Sequence, residues 1–127
     1  MKYLIRILLC FLLLQSFECD KENENELSTA ELLAFKKQEI LDYIQSFSCT
    51  SASSCNYIAF GAKPCGGPRA FLAYPNTVNQ TTLEALVLEH YEMDNAYNIQ
   101  IGASSDCQVV SPPNNVECVN GVCTVLD

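Results

Sequence analysis

The chain has 127 residues, with 15 acidic and 7 basic side chains, a net charge of −8, 8 Cys and no Trp. This length fits one small domain, and the negative charge excludes binding to nucleic-acid phosphates, which needs a basic face. The cysteine content is high for the size of the chain and, in an exported protein, indicates a disulfide framework.

The first 18 residues have the pattern of a secretory signal peptide. Lys2 and Arg6 form a positive region, and the apolar run Ile7–Leu14 follows it. This run is too short to span a bilayer, which needs about 20 apolar residues. We therefore predict a signal peptide at residues 1–18 and export of the chain that follows.

Cys19 is the predicted site of lipid attachment, at the start of an acidic tether that covers residues 19–27. The sequence Cys19–Glu22 (CDKE) resembles the start of surface-exposed lipoproteins of Bacteroidota-type bacteria, in which Lys followed by acidic residues is linked to export to the outer face. The residues Ser16, Phe17 and Glu18 depart from the usual lipobox, which has Leu and two small residues before the Cys. The alternative is ordinary cleavage, for example after Ser16, which gives a soluble secreted protein without a lipid anchor.

The ordered body is predicted to begin with a helix from about Thr29 to Phe47. Ser28 and Glu31 have the spacing of a capping box, in which each side chain accepts a hydrogen bond from the other residue's backbone N–H. Apolar residues then recur at helical spacing and predict the buried face of this helix. They are Leu33, Ile40, Ile44 and Phe47.

Two short apolar runs, Asn56–Ala62 and Arg69–Tyr74, predict a pair of strands. The segment between them contains two prolines and two glycines and is a predicted turn. A second helix is predicted to start at a cap, Thr81 or Thr82, and to reach about Tyr97. Its apolar stripe consists of Leu83, Leu86, Val87, His90, Met93 and Tyr97.

The C-terminal part is predicted to be β-structure. Gln108–Val110 is a short apolar run, and Asn120-Gly121 between two valines is the strongest hairpin signal in the chain. The order of elements predicts an α+β fold, in which an antiparallel sheet of four to five strands carries two helices on one face. Residues 28–127 then form a single disulfide-bonded domain.

Six cysteines remain in this domain once the signal peptide and Cys19 are set aside, and we expect three disulfides. If Asn120-Gly121 is a two-residue turn, Cys118 and Cys123 lie on the same face of the hairpin, where they can bridge each other or reach other elements. A zinc site is the alternative, but the chain has a single His and an export signal, so we predict no metal and no cofactor. The predicted disulfide residues are Cys49, Cys55, Cys65, Cys107, Cys118 and Cys123.

Four short motifs lie between residues 61 and 121: Gly61–Pro68, Ser105–Cys107, Pro112-Pro113 and Cys118–Gly121. Together they resemble a family of short lipoproteins of Bacteroidota with the pattern GxKPCGGP…SDC…CVNG. The similarity covers residues from about Phe47 to Leu126. It implies an envelope location and a shared fold, and it indicates no chemistry.

The sequence carries no pattern typical of a catalytic site, and we predict that the protein is not an enzyme. His90 is the one residue from which a general base would ordinarily be drawn. Because it lies on the apolar stripe of the second helix, we expect it in the core. No serine lies in a Gly-x-Ser-x-Gly elbow, and no cysteine of the body remains free if all six are bridged.

The favoured function is a non-enzymatic binding or structural module, held by lipid at the outer membrane or cell surface. We expect a monomer with an unidentified protein partner and no nucleic-acid ligand. The alternative is a serine-protease inhibitor that presents the Lys63–Arg69 loop, with Lys63 and Arg69 as exposed binding residues. If they are exposed, replacing either by Ala changes stability by no more than about 0.5 kcal/mol.

Overall fold

The computed structural model describes residues 28–51 and 54–126. The predicted signal peptide and the lipidation site at Cys19 lie outside these residues. The fold is α+β and contains two helices and two antiparallel hairpins. In chain order the elements are α1 (Thr29–Gln45), β1 (Cys55–Phe60), β2 (Ala70–Pro75), α2 (Gln80–Gln100), β3 (Asn115–Val119) and β4 (Val122–Leu126).

Both helices start at a polar cap. The capping box of α1 is confirmed, since Ser28 Oγ accepts from the N–H of Glu31 at 3.3 Å and the Glu31 carboxylate accepts from the N–H of Ser28 at 2.8 Å. For α2 the predicted threonine cap is wrong. Asn79 is the N-cap and its Oδ1 accepts from the N–H of Thr82 at 3.0 Å, as expected for a residue type that caps at least as well as Thr.

The main core lies between the two helices and one face of the β1–β2 hairpin. Side chains alternate across a strand, so the even-numbered residues of the two strands share a face, and they meet apolar residues of both helices. This side of the hairpin is therefore covered by the helix layer. The buried core consists of Ile40, Ile44, Phe60, Tyr74, Val78, Leu83 and Val87.

The predicted single sheet of four to five strands is only partly matched. Four strands form in the described residues, as two separate two-stranded sheets, β1–β2 and β3–β4. Two disulfides, Cys49–Cys118 and Cys55–Cys123, attach the second hairpin through side chains that project from its face. The β3–β4 hairpin therefore contacts the rest of the domain mainly through side chains. In the described part of the chain, no backbone hydrogen bonds join it to β1 or β2.

The β3–β4 hairpin turns where the sequence predicts. Asn120 and Gly121 have φ of 52° and 84°, the signature of a type I′ turn. Val119 pairs with Val122, and Cys118 pairs with Cys123. The sulfurs of this cross-strand pair belong to two different disulfides, so each strand of the hairpin is separately attached to the rest of the domain.

Residues 108–110 do not form the additional strand that their apolar sequence suggests. Val109 is 89% exposed, and Ser111-Pro112-Pro113 follows directly. Prolines lack the N–H that a ladder requires, and the Cys65–Cys107 disulfide draws the preceding segment towards the β1–β2 turn instead. None of the helices in residues 28–51 and 54–126 is both long and apolar enough to cross a membrane.

Candidate functional site

An open apolar groove lies between the outer side of α2 and the end of β1. Its volume is about 290 Å³. Leu88 and Tyr91 of α2 line it while remaining 56% and 40% exposed. Large apolar side chains left uncovered side by side are typical of a surface that contacts another molecule. The groove is lined by Ile58, Ala59, Gly61, Gly67, Pro68, Glu84, Val87, Leu88 and Tyr91.

Helical spacing places three of the lining residues in one row. Glu84, Leu88 and Tyr91 are four and three residues apart, so they share a face of α2 next to its buried stripe. Glu84 accepts a hydrogen bond from Gln80 Nε2 at 2.7 Å. No Lys or Arg among the described residues forms an ion pair with Glu84, which gives this groove a single negative charge.

The opposite wall is part of the turn between β1 and β2. Gly61 and Gly67 have φ of 73° and 81°, a backbone region that suits glycine. Both glycines line the groove, and because they have no side chain they do not fill it. Gly66 also has a positive φ of 91°, and the predicted turn between the two strands is confirmed.

A partly buried ionic network fixes the two ends of this turn to α2. Arg69 Nε donates to Asp94 Oδ2 at 2.9 Å, and its Nη2 donates to Asp94 Oδ1 at 3.2 Å and to Asn98 Oδ1 at 2.7 Å. The backbone of Ala62 completes the network, because its N–H donates to Asp94 at 2.8 Å and its carbonyl accepts from Asn98 Nδ2 at 2.8 Å. The ends of the turn, Ala62 and Arg69, are thereby held against the helix.

Asp94 remains ionised within this network. Burial raises the pKa of its carboxyl, but the hydrogen bonds from Arg69 and from the N–H of Ala62 outweigh burial and hold the pKa below its ordinary value. A buried carboxylate that accepts several charge-assisted hydrogen bonds is a structural anchor. Its oxygens are directed at the turn, and it does not line the groove.

The two basic residues of the predicted binding loop are engaged within the protein. Arg69 is bound to Asp94 and Asn98, while Lys63 Nζ donates to Asp106 Oδ1 at 3.0 Å and to the carbonyl of Gln108 at 2.6 Å. The Lys63 side chain is only 14% exposed. Arg69 is exposed as predicted, with 46% of its side chain accessible, whereas the expected exposure of Lys63 is wrong. Both side chains also contact distant segments of the chain.

His90 lies in the core, as its place in the stripe predicts. It is 5% exposed, and its ring packs on Phe60 with 4.4 Å between ring centroids. Burial lowers the pKa of the imidazole, with Asp94 partly opposing this effect. Nδ1 has no hydrogen-bond partner among the described residues, and His90 does not line the groove. These contacts suit a packing role.

The six cysteines of the body form three disulfides: Cys49–Cys118, Cys55–Cys123 and Cys65–Cys107. The Sγ atoms of Cys49, Cys55 and Cys123 lie within 4.8 Å of one another. A metal binds cysteine as the thiolate, and in these bridges the sulfurs are bonded to each other. The cluster thus forms a second buried centre that joins the loop before β1 to the C-terminal hairpin.

Comparison with protein-family models, curated proteins and solved structures found no match to this chain. The groove and its neighbouring contacts are therefore the basis for assigning a function.

Sequence reasoning missed two of the residues that build the site. Asp94 and Asn98 continue the buried row of Leu83, Val87 and His90 at intervals of four residues. A polar residue at such a position needs a partner, and Arg69 in the preceding turn was available. The exposed row of Leu88 and Tyr91 was also a visible signal, because both residues lie off the buried face.

Proposed function

We propose that the protein is a non-enzymatic, exported binding module whose groove accepts an apolar group that carries a positive charge. The observation that carries this proposal is the lining of the groove, where Ile58, Leu88 and Tyr91 accompany the carboxylate of Glu84, which forms no ion pair within the described part of the chain. A mostly apolar concave surface with few polar groups is typical of ligand sites. The carboxylate favours a cation and disfavours an anion.

The same surroundings support a role without catalysis. Among residues 28–51 and 54–126, the groove is lined by Glu84 and Tyr91 but by no Lys, Arg, His or Cys. His90 is buried in the core, and Asp94 holds the turn. A general base or nucleophile needs a second group within hydrogen-bond reach of it and of the substrate, and these side chains do not meet at the groove.

We further propose that the chain is exported through its signal peptide and is held at the outer membrane or cell surface by lipid on Cys19. The apolar run that ends five residues before Cys19 and the acidic tether after it support this proposal. Replacing Cys19 by Ser should move the protein from the membrane fraction to the soluble fraction. Unchanged fractionation of this variant contradicts the anchor and favours the soluble secreted form.

Binding to the groove can be measured with N-phenylnaphthylamine, a neutral apolar dye that becomes brighter when it leaves water. We expect the full chain to bind the dye, and Leu88→Ser to weaken binding by roughly tenfold, as expected when a buried apolar contact of about 1.4 kcal/mol is lost. Phe35→Ser is the matched control, because Phe35 is 61% exposed on α1 and does not line the groove.

The charge preference is tested by competition. Hexyltrimethylammonium should displace the dye at lower concentration than hexanesulfonate, which has the same alkyl chain and the opposite charge. Glu84→Gln should remove the difference between the two competitors. Equal loss of dye binding in Leu88→Ser and Phe35→Ser, or a preference for the anion, contradicts the proposed function.

A further inference from the structure

The three disulfides differ in their access to solvent. Cys55 and Cys123 are both buried, at 7% and 8% exposure, and Cys49 is 6% exposed. Cys65 and Cys107, in contrast, are both exposed. A thiolate must reach a sulfur atom to open a disulfide, so the Cys65–Cys107 bond is the one that an external thiol can attack at either end.

This bond joins the turn between β1 and β2 to the loop that follows α2. A second cleft, of about 160 Å³, lies beside the disulfide and has both cysteines in its lining. Gly67 and Pro68 line this cleft as well as the apolar groove. The segment that the disulfide holds in place is therefore also a wall of the proposed binding site.

We propose that Cys65–Cys107 is a thiol-exchange site that a dithiol reductant opens selectively, and that its opening loosens the Gly67–Pro68 wall of the groove. The exchange site rests on the exposure of the two cysteines alone. Its effect on ligand binding rests on the proposed function of the groove.

The reaction consists of two exchanges. A thiolate of the dithiol attacks the Sγ of Cys65 or Cys107, the bond between the two cysteines breaks, and the leaving cysteine takes up a proton. The second thiol of the reductant then attacks the reductant sulfur that is bonded to the protein in the mixed disulfide. This step releases the other cysteine as a thiol. Two electrons enter the protein, and the reductant leaves as a disulfide.

Both cysteine thiols that the exchange produces have a hydrogen-bond acceptor nearby. The carbonyl oxygen of Ser105 lies 3.9 Å from the Sγ of Cys65 and 3.6 Å from that of Cys107, so each freed thiol has an acceptor close by. Lys63 keeps its contacts with Asp106 and Gln108 on the other loop. The two segments therefore stay together after the covalent bond opens, and the fold is retained.

The freed turn keeps few constraints of its own. Two backbone hydrogen bonds, from Lys63 N–H to the carbonyl of Gly67 and from Gly66 N–H to the carbonyl of Lys63, both 2.9 Å, define it. Gly66 and Gly67 both have positive φ. Because glycine gains more backbone freedom than other residues when a constraint is removed, this stretch is the part of the groove that reduction loosens.

The exchange site is tested by treating the oxidised full chain with increasing dithiothreitol, alkylating the free thiols and identifying the labelled cysteines by peptide mass spectrometry. We expect Cys65 and Cys107 to be labelled at reductant concentrations roughly tenfold or more below those that label the other four. Labelling of Cys118, or of all six cysteines, at the same concentration as Cys65 overturns the proposal.

The loosening of the wall is measured without a ligand. Amide hydrogen exchange at residues 63–68 should become faster in the selectively reduced protein, while exchange in α2 stays slow. The double variant Cys65→Ser, Cys107→Ser should reproduce this result without reductant. Unchanged exchange at residues 63–68 in both samples contradicts the loosening.

The dye assay separates this inference from the proposed function. We expect N-phenylnaphthylamine to bind the oxidised chain several-fold more tightly than the reduced chain or the double variant. Equal affinity contradicts the regulatory effect. Selective labelling in a chain that does not bind the dye in its oxidised form contradicts the proposed function and supports the exchange site.

Discussion

The two ends of the ordered body are stabilised in different ways. In the helices, the β1–β2 hairpin and the connector that follows it, seven residues form a continuous buried core. Between residues 103 and 126, in contrast, Cys123 is the one buried residue. Apolar packing holds the first region, and disulfides attach the second to it. A chain of this size buries a limited apolar area, and covalent bonds replace packing where the core ends.

The largest effect is expected from removing a buried disulfide. The double variant Cys55→Ala, Cys123→Ala should lose about 4 kcal/mol of unfolding free energy, because the bridge closes a long loop and its sulfurs fill the second cluster. Urea unfolding followed by circular dichroism measures this loss. Amide exchange should increase in residues 115–126 far more than in α2, and equal increases in both regions contradict the division between them.

The matched control for that experiment is Cys65→Ala, Cys107→Ala. These cysteines are exposed, so their removal takes away the loop constraint but little packing. We expect a loss of about 2 kcal/mol, at the lower end of the range for native disulfides. If the unfolding free energy falls as much as it does without the buried Cys55–Cys123 pair, burial does not explain the difference between the two disulfides.

The next effect compares two ion pairs of the packed region. Asp94→Ala should cost about 3 kcal/mol, because it leaves the buried N–H of Ala62 without an acceptor and removes the carboxylate that balances the charge of Arg69. Lys36→Ala removes the ion pairs with Glu39 and Glu89 at the surface and should cost much less. Thermal or urea unfolding of the two variants measures the difference, and similar losses contradict the anchoring role of Asp94.

A smaller effect is expected at the turn. Gly67→Ala should cost about 1 kcal/mol, because φ is +81° and an L-residue is strained there. No atom lies within 4 Å of the added Cβ, so the cost is conformational and no clash contributes to it. Urea unfolding provides the measurement. An unchanged midpoint contradicts a constrained turn.

The smallest effect concerns the dependence of stability on pH. The folded state holds the pKa of His90 below its ordinary value of 6.5, so the unfolded chain binds a proton more readily. The contribution of His90 to the free energy of unfolding is fully present above pH 6.5. It is lost as the pH falls from 6.5 towards the pKa that His90 has in the folded protein. Asp94, Lys37 and Arg69 are the charged groups that act on it.

His90→Gln should remove this part of the pH dependence, and it should lower the melting temperature at neutral pH because contact with Phe60 is reduced. Unfolding of both proteins measured on each side of pH 6.5 gives the comparison. Equal slopes in the two proteins contradict the burial of a neutral imidazole.

Local patterns in the sequence predicted much of the fold. The capping box at Ser28, the hairpin at Asn120-Gly121 and the turn between β1 and β2 depend on a few neighbouring residues, and all are present. The buried position of His90 follows from helical spacing alone. These features can be predicted from the sequence because the residues that determine each of them lie close together in the chain.

The interactions between distant segments could not be predicted from the sequence. The separation of the strands into two sheets depends on which cysteines pair, and the pairings join residues 42 to 69 positions apart. The ion pair of Arg69 was not predicted, because its partner, Asp94, is 25 residues away on α2. The groove arises only when α2 is placed beside β1, so its lining has no local signature.

Nuclear magnetic resonance mapping of hexyltrimethylammonium on the oxidised full chain tests the proposed binding site most directly. We expect backbone amide signals of Ala59, Gly67, Leu88 and Tyr91 to shift in a saturable manner, and hexanesulfonate to shift them far less at the same concentration. Shifts centred on the exposed α1 residues Leu32 and Phe35, or equal shifts with the cation and the anion, would contradict the assignment of the groove.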